Sequence, residues 1–383
     1  AELPDYSDGY PRYRTGLGAP VDEDGNPIYH QRVRQWQEAE TDGQRWRWAL
    51  DQVVENNPGQ RHAMLWQFAQ FCQQQFGVQT MQESAGPFRG GMGMEMGGSR
   101  TDAPRESGAY QLHTLTETET IARLASGIKR FELPDEFNHI RIYKQLAGSQ
   151  QGSYRRSAAD QLGSILENRR QFSRAAAHWR EVIKEYRPAS DDYAHHQLQQ
   201  IVGDWGAIET VQSQAAGQAV EFGFRFRNAR KVSFTAHQVH VDKLLGDVKQ
   251  YLLSHPSQFD WQKIQVQNLG WKMIQNNQPQ YIGEQVAQWS VDLEPRQNHF
   301  DRRVMIETPL DEGGAYLITS KTGSGNETKV VLWVDNTSIV RKQLSGGSYY
   351  FFADARTGDP VAGLDVEFFG YRQERKKNIF ELK

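Results

Sequence analysis

The chain has 383 residues, of which 44 are lysine or arginine and 47 are aspartate or glutamate, giving a formal net charge of −3. This balance excludes a strong electrostatic preference for nucleic acid or for an anionic membrane surface. No apolar run approaches the roughly 20 residues of a membrane-spanning helix, and the single cysteine, Cys72, excludes an internal disulfide framework and a cysteine-based zinc site.

Residues 1–28 are rich in Pro, Gly, Asp and Tyr, which predicts an extended tail with turns. Within this tail, Asp22 and Asp24 stand beside Gly25, as they would at the start of a calcium-binding loop. The other ligand positions of such a loop are missing. We therefore expect turn residues here rather than a calcium site.

Residues 29–212 carry apolar residues at the spacings of three and four that amphipathic helices show. The pattern runs over 30–77, with a helix boundary at Pro58, and returns over Thr118–Phe131 and Phe137–Ala147. This range is therefore predicted to be an all-α domain built from helical hairpins.

The clearest helical unit is the stretch 153–188, which predicts two helices joined by a short polar turn and closed by Pro188. It resembles a tetratricopeptide-type hairpin, with Gly163 where the helices cross, Ala175 in the contact face and Trp179 against the next unit. The leading tryptophan of that repeat is absent and the proline stands one place late, so a generic helical bundle stays the alternative. In either case the other helices must stack on this hairpin, because one hairpin cannot bury its own apolar face.

A glycine-rich stretch, 84–109, interrupts the helical region and has no apolar period. Because glycine loses the most backbone entropy on ordering, we expect a mobile loop here. Met92, Met94 and Met96 would suit a soft ion such as Cu(I). No cysteine or paired histidine stands nearby, so we interpret the three methionines as incidental residues of the insertion.

Near residue 215 the apolar pattern changes from helical spacing to strict alternation, which Phe222, Phe224 and Phe226 show most clearly. Short segments of this kind separated by Gly and Asp/Asn turns predict an immunoglobulin- or fibronectin-like antiparallel β-sandwich. A helix at 241–254, followed by a second apolar run at 259–274, predicts a helical insertion over 242–275. The predicted strands are 220–227, 231–241, 286–293, 302–307, 315–319, 329–334, 338–342, 349–354 and 364–370.

Three stretches of this half resemble the amino-terminal macroglobulin domains of bacterial alpha-2-macroglobulins. Arg230–Leu245 looks like the opening strand and helix of such a domain, and Gly313–Ile318 looks like its strand of the form G-x-Y-x-V/I. Tyr349–Phe369 resembles the start of the next domain, where a strand, a T-G-x-P-V turn and a second strand recur. In that turn Gly358 supplies a positive φ, and Pro360 fixes φ before the next strand.

The resemblance implies a multidomain chain in which a macroglobulin sandwich is followed by the start of a second one. Because two strands cannot close a sandwich, the chain is expected to be an amino-terminal fragment of a larger protein. The predicted divisions are a tail at 1–28, a tetratricopeptide-like helical domain at 29–212, a macroglobulin sandwich at 213–345 and the truncated start of the next at 346–383.

Alpha-2-macroglobulins trap proteases: cleavage of a bait segment collapses their multidomain shell, and many members expose a Cys–Gln thioester. The resemblance implies that the full-length protein does the same in the cell envelope, periplasmic or secreted, although no signal peptide is present at Ala1. This part would be a scaffold or anchor and not an enzyme, with no cofactor and with proteases as partners of the whole protein. The alternative is an envelope structural or adaptor protein whose helical stack binds a peptide or protein.

Cys72 and Gln75 have the three-residue separation of the family's thioester pair. However, Gln74 stands where the family has glutamate, and the pair lies on a predicted helix. The thioester of the family lies in a far carboxy-terminal domain. We therefore interpret Cys72 as a core residue, because free cysteine packs as a small hydrophobe.

Two histidine pairs stand at spacings that invite comparison with metal ligands. His237 and His240 lie three apart on a predicted strand and so face opposite sides, whereas the adjacent His195 and His196 point about 100° apart on a helix. Neither pair has metal-ligand geometry. No nucleophile-elbow, zinc-protease, dinucleotide or Walker motif is present either, so the sequence predicts no catalytic or metal site.

Many of the ten tryptophans fall in segments predicted to be helical. Their default interpretation is the core of a helical stack, and the sharper hypothesis is a concave peptide-binding groove that some of them line. These tryptophans are Trp36, Trp46, Trp48, Trp66, Trp179 and Trp205.

Overall fold

The computed structural model describes residues 18–78, 111–150, 152–209, 211–254 and 279–369, together with the backbone of two short strands near the carboxy terminus. The glycine-rich stretch with its three methionines, and the apolar run at 259–274, lie outside these residues. The chain divides into two compact units, Ala1–Val202 and Gly203–Lys383. None of the described helices is long and apolar enough to cross a membrane.

The first unit is built mainly from helices, as the apolar spacing predicts. Its helices are α1 (Asp42–Asn56), α2 (Arg61–Phe76), α3 (His139–Ala147), α4 (Arg155–Asn168), α5 (Phe172–Tyr186) and α6 (Tyr193–Val202). Thr41 begins α1 with a capping box, in which its hydroxyl accepts from the Gln44 N–H and the Gln44 side chain accepts from the Thr41 N–H. Pro58 stands just after α1 ends, at the predicted boundary.

The helix predicted over Thr118–Phe131 is wrong. These residues form an antiparallel hairpin of β1 (Glu119–Leu124) and β2 (Gly127–Glu132). Gly127 closes the turn with a φ of 119°, a conformation that disfavours other residues and ends any helix. The backbone of Ala19 pairs with β1 in parallel, so the described end of the amino-terminal segment is docked on this hairpin.

Helices α4, α5 and α6 contact one another around a single indole ring. Gly163 of α4 lies directly against Trp179 of α5: a Cβ at Gly163 would stand 2.2 Å from Trp179 Cζ2. Trp179 and Ala175 are fully buried, and the indole also contacts Tyr193 of α6, with 5.7 Å between ring centroids. The close approach at Gly163 and the contact of Trp179 with the next helix are both as the sequence predicts.

The second unit contains an antiparallel sandwich of two sheets, which confirms the predicted fold class. One sheet has the order β3 (Trp205–Ile208), β4 (Glu221–Arg227), β7 (Arg302–Glu307). The other has the order β6 (Ile282–Asp292), β5 (Lys231–Val239), β8 (Gly314–Thr322), β9 (Glu327–Val334).

Aromatic residues from both sheets fill the space between them. Phe222, Phe224 and Phe226 alternate inward along β4, as their spacing predicts, and all three are buried. Phe234 of β5 meets Phe222 and Phe224 edge-on and stacks on Trp289 of β6 at 5.1 Å between centroids. Burial of such rings is the main stabilising contribution to a sandwich of this kind.

The outer edge of β3 is closed by side chains instead of a further strand. Asn326, in the turn between β8 and β9, accepts from the Gly206 N–H at 2.8 Å and donates to the Gly206 carbonyl at 2.7 Å. Gly206 must be glycine, because a Cβ there would stand 2.4 Å from the Phe224 ring. Trp205 therefore begins a strand, and the prediction of a helix at this tryptophan is wrong. The sequence placed the domain boundary after residue 212, whereas β3 belongs to the sandwich.

Helix α7 (Val241–Leu253) follows β5 directly, as the sequence predicts. Its Leu244 packs with Val239, Tyr281 and Leu317 in a small core next to the sandwich core. The Tyr281 hydroxyl donates to Asp247 Oδ2 at 2.8 Å, which fixes the helix against the residues that enter β6.

After the sandwich, β10 (Thr337–Leu344) and β11 (Gly347–Asp354) form a separate two-stranded sheet. The sequence placed β10 with the first sandwich and β11 with the next domain, but the two strands pair with each other along their whole length. Gly358 has the predicted positive φ, 77°, and Pro360 bridges back to Ala353. The strand predicted over 364–370 is wrong for 364–369, which have no strand partner among the described residues. Two further short strands, β12 (Gln373–Lys376) and β13 (Ile379–Leu382), pair with each other.

Candidate functional site

Cys72 lies in the core of the helical unit. It is fully buried on α2, and this burial raises the pKa of its thiol to about 12. A thiol in this state is a poor nucleophile and a poor metal ligand, because both roles require the thiolate. Gln75 is half-buried one helical turn further along, so the pair occupies a packed helix rather than an accessible reactive site.

The two histidine pairs lie at the end of β5 and on α6. His237 lies at a β-bulge on β5, whereas His240 lies beyond the end of that strand and precedes α7. His195 is half-buried and His196 is exposed on α6. Among the described residues, no group of three or more His, Cys, Asp or Glu side chains is placed to hold a metal ion.

Asp22 and Asp24 lie in a tight turn instead of a calcium loop. The Asp22 carboxylate accepts from the backbone N–H of Asn26 at 2.8 Å, and Gly25 adopts a φ of 77°. The Gly25 carbonyl accepts from the Lys129 ammonium at 2.9 Å. The carbonyl that could have bound a cation thus already contacts a positive charge.

One buried polar group centres on Arg169, which follows α4 and is 1 % exposed. Its guanidinium donates to the carbonyls of Thr116 and Glu119, at 2.7 and 2.9 Å. Gln171 donates to the Leu115 carbonyl at 2.7 Å, and Asn138 donates to the Glu117 carbonyl at 2.9 Å. These three side chains satisfy the carbonyls of irregular backbone at 115–117 and of Glu119, the first residue of β1. The Thr118 carbonyl between them accepts from the Leu133 N–H at 2.8 Å.

The carboxylates of Glu117 and Glu119 form ion pairs with basic side chains at the surface of this stretch. Glu117 accepts from Lys144 and Arg174, at 2.6 and 2.8 Å, and the hydrogen bond from Lys144 lowers the pKa of that carboxyl. Glu119 accepts from Arg130, which lowers the pKa of the Glu119 carboxyl to about 2. Burial lowers the pKa of Arg169 to about 10, so its guanidinium stays charged at neutral pH.

His139 lies beside Arg169 and is also almost fully buried. Its Nδ1 has no hydrogen-bond partner. Burial, with a smaller contribution from Arg169, lowers the pKa of His139 to about 3, so the ring is neutral in the folded protein. Sequence reasoning missed both residues, because Arg169 stands in a polar turn and His139 at a helix start, where exposed polar residues are the norm.

A carboxylate joins the three helices around Trp179. Glu167 is buried, and its Oε1 accepts from the indole N–H of Trp179 at 2.7 Å. With its amide nitrogen facing Glu167, Gln197 of α6 donates to the same carboxylate at 3.1 and 3.2 Å. This arrangement orders the α4–α5–α6 contact and is structural, since both donors are held in the packing.

Of the tryptophans considered for a peptide-binding groove, Trp36 has an exposed side chain. Trp36 is 47 % exposed and meets Trp48 of α1 edge-on, with 5.4 Å between ring centroids. The Trp48 indole N–H donates to the Arg34 carbonyl at 3.3 Å, which fixes the pair. Trp46 and Trp66 are half-buried instead, and pack on other aromatic rings of the core.

The segment after the sandwich exposes more large apolar side chains than any other stretch of the described chain. Both faces of the β10–β11 hairpin and the following residues contribute to this surface. Phe368 is 68 % exposed, although its ring contacts Tyr350 at 5.0 Å between centroids. The exposed residues are Ile339, Val340, Leu344, Tyr349, Leu364, Val366, Phe368 and Phe369. Apolar patches of this kind mark interaction surfaces.

Comparison with known proteins gives limited similarity. No family model matches the sequence, and no curated protein matches it. Two similar solved structures are of native alpha-2-macroglobulin from Escherichia coli. The one spanning domains MG0-NIE-MG1 has a TM-score of 0.29 and 14% identity, covering 41% of this chain and 47% of its own. The one spanning NIE-MG1 has a TM-score of 0.31 and 12% identity, covering 48% of this chain and 97% of its own.

This chain thus spans less than half of the first of these structures. Both TM-scores lie below 0.5, so neither similarity establishes a relationship.

Proposed function

We propose that this chain is the amino-terminal scaffold of a bacterial alpha-2-macroglobulin-like protein that inhibits proteases by trapping them. The proposal rests on one arrangement, a closed two-sheet sandwich followed directly by a hairpin and the turn Thr357–Pro360. The sandwich and the turn lie where the resemblance of the three sequence stretches to macroglobulin domains expects them, although β10 pairs with β11 and 364–369 form no strand after the turn. The helix α7 directly after β5 also fits that resemblance.

In this proposal the chain itself does not perform catalysis and holds no cofactor. Its two units act as a scaffold or anchor, and the partners are proteases, which the whole protein would retain after they cleave it. The helical unit would contact envelope proteins, and the location is the cell envelope, periplasmic or secreted.

The test uses the native polypeptide that contains this chain. It is incubated with several unrelated proteases, and the mixture is analysed by size-exclusion chromatography and native gels. Trapping predicts a cleaved, more compact species that elutes together with active protease. The control is each protease with its nucleophile removed, which should not be retained. Cleavage to separate fragments with no protease retained would contradict the proposal.

The exposed Trp36–Trp48 pair favours a second candidate, an envelope adaptor that binds a peptide through the helical unit. Aromatic rings held rigidly at a surface are common anchors for partners. Selection of a random heptapeptide library on the whole chain, compared with Trp36→Ala, tests this function. Peptides enriched on the unchanged chain and lost on the variant support the adaptor. Equal enrichment on both would exclude this pair as the site.

A further inference from the structure

One edge of strand β10 has no strand beside it among the residues that the structure describes. Along its other edge, β10 pairs with β11 over eight consecutive positions, from Thr337 opposite Asp354 to Leu344 opposite Gly347, with no break in register. Exposed edges are usually blunted by a proline, a bulge, a lysine or other charged side chain, or a covering element. Strand β10 has no proline and no bulge, and its charged residues are Arg341 and Lys342.

The hydrogen bonds of β11 show which backbone groups of β10 face this edge. The Phe352 carbonyl accepts from the Val361 N–H at 3.0 Å, so Phe352 turns its backbone groups away from β10. In an antiparallel pair the opposite residue then also turns its N–H and C=O outward. That residue is Ile339, and the alternation continues to Arg341 and Gln343. The free edge therefore offers regularly spaced donors and acceptors.

The side chains along β10 are apolar on both faces of the hairpin. Ile339 lies on one face, and Val340 and Leu344 lie on the other, because neighbours in a strand alternate. All three are exposed, to 61, 56 and 49 %. A two-stranded sheet that is apolar on both sides is marginal in water, so a third strand would stabilise it by covering part of this surface.

The hairpin is also basic. Between Thr337 and Ala353 the charged residues are Arg341 and Lys342, and there is no aspartate or glutamate. The Arg341 guanidinium is held over its own face by Ser348, with Nη2 to Oγ at 3.1 Å, and lies 5.8 Å from the Tyr350 ring centroid. Because Arg341 and Lys342 are adjacent, they present one positive charge on each face.

We propose that the free edge of β10 binds an extended segment of a partner protein as a third strand. The segment has two adjacent apolar residues, opposite Ile339 and Val340, next to two adjacent acidic residues, opposite Arg341 and Lys342. Backbone hydrogen bonds to the edge supply affinity, and the side-chain pairs select the sequence. This interaction is independent of protease trapping, so either proposal can fail without the other.

The test is fluorescence anisotropy with the whole chain and two labelled peptides. One peptide has two glutamates followed by valine and isoleucine, flanked by threonines, and the other has two lysines in place of the glutamates. The glutamate peptide should bind about tenfold more tightly, since two cross-strand pairs change from attraction to repulsion. The double variant Arg341→Glu/Lys342→Glu should reverse this preference. The matched control, Lys321→Glu/Lys329→Glu on the sandwich, should leave it unchanged.

A backbone variant separates strand addition from simple charge attraction. Gln343→Pro removes an outward N–H without removing a bond to β11, because proline is tolerated on the open side of an edge strand. It should weaken both peptides about tenfold while circular dichroism stays the same. No binding of either peptide, or a preference that the charge reversal leaves unaltered, would overturn the proposal. Dimers of the chain that Gln343→Pro dissociates would overturn it as well, and would assign the edge to a second copy.

Discussion

The helical unit and the sandwich bury their polar groups in different ways. Among the described residues, the helical unit buries four arginine, histidine or glutamate side chains, Arg47, His139, Glu167 and Arg169. In the sandwich, the buried polar side chains among the described residues are hydroxyls, such as Ser320. Strands satisfy their backbone by pairing, so the sandwich core can be almost wholly apolar. The helical unit buries stretches of irregular backbone, and long side chains must reach in to satisfy their carbonyls.

Arg47 shows the same principle at a second place in the helical unit. Its guanidinium donates to the His30 carbonyl at 2.7 Å and to Glu136 at 2.5 Å, and it lies over the rings of Phe68 and Phe137. A charged side chain thus fixes the chain before α1. We expect the two units to differ most in how their stability depends on pH and on single polar side chains.

The largest expected effect is in the sandwich core. Phe234→Ala removes a ring that contacts Phe222, Phe224 and Trp289, and should lower the free energy of unfolding by about 3–5 kcal/mol. The loss should be independent of pH, because no titrating group is involved. Urea denaturation at pH 5 and pH 7 measures it. Met305→Ala, on the exposed side of β7, is the control and should cost less than about 0.5 kcal/mol.

The next effect tests the polar anchor of the helical unit. Arg169→Met keeps an apolar stem but leaves the Thr116 and Glu119 carbonyls unpaired, and should cost about 2–4 kcal/mol. Arg174→Met, which breaks a half-exposed pair with Glu117, should cost less than about 1 kcal/mol. Hydrogen exchange across 115–119 should rise in the first variant and not in the second. Equal protection in both variants would show that the carbonyls are satisfied in another way.

The third effect is a pH dependence confined to the helical unit. His139 has a pKa of about 3 when folded, below its ordinary value of 6.5, so the unfolded chain binds the extra proton. Stability is therefore complete above about pH 6.5 and falls as the pH decreases toward 3, by about 2 kcal/mol at pH 5. Urea denaturation between pH 7 and pH 5 measures the slope. His139→Leu should flatten it, whereas His196→Leu, at an exposed site, should not.

The smallest effect concerns the helix crossing. Gly163→Ala adds a methyl group against the Trp179 ring and should destabilise the helical unit by about 1 kcal/mol, since overpacking outweighs the better helix propensity of alanine. The matched change Gly246→Ala in α7, where nothing lies within 4 Å of the added methyl, should raise stability by up to about 1 kcal/mol. Thermal unfolding of both variants gives the two signs. A stabilised Gly163→Ala would mean that the helices separate easily.

Much of the fold could be predicted from the sequence because local pattern and tertiary role agree. The alternating phenylalanines of β4 mark an inward face, and Gly163 marks a close helix contact. The hairpin β1–β2 was missed because Ile121 and Leu124 are three apart, a spacing that fits a helix as well as a strand. Only the left-handed turn at Gly127 separates the two, and single glycines also occur inside helices.

The functional surfaces were harder to predict than the fold. Arg169 acts through carbonyls that are about fifty residues earlier in the chain, and nothing in the local sequence reports such a partner. The edge of β10 is open because no described strand lies beside it. Strand order in a sheet is not encoded in the sequence of any one strand. The pairing of β10 with β11 was missed for the same reason, because either strand alone fits a sandwich.

The Asn326 side chain makes the two hydrogen bonds to Gly206 that a neighbouring strand would otherwise make at the edge of β3. The edge of the sandwich is therefore sensitive to slow deamidation of this residue. Deamidation would convert its amide to a carboxylate. The nitrogen that donates to the Gly206 carbonyl would become a second acceptor facing that carbonyl. A slow reaction at one side chain would thus weaken the outer edge of β3, while its pairing with β4 stays in place. Samples of different age would then differ in the protection of β3.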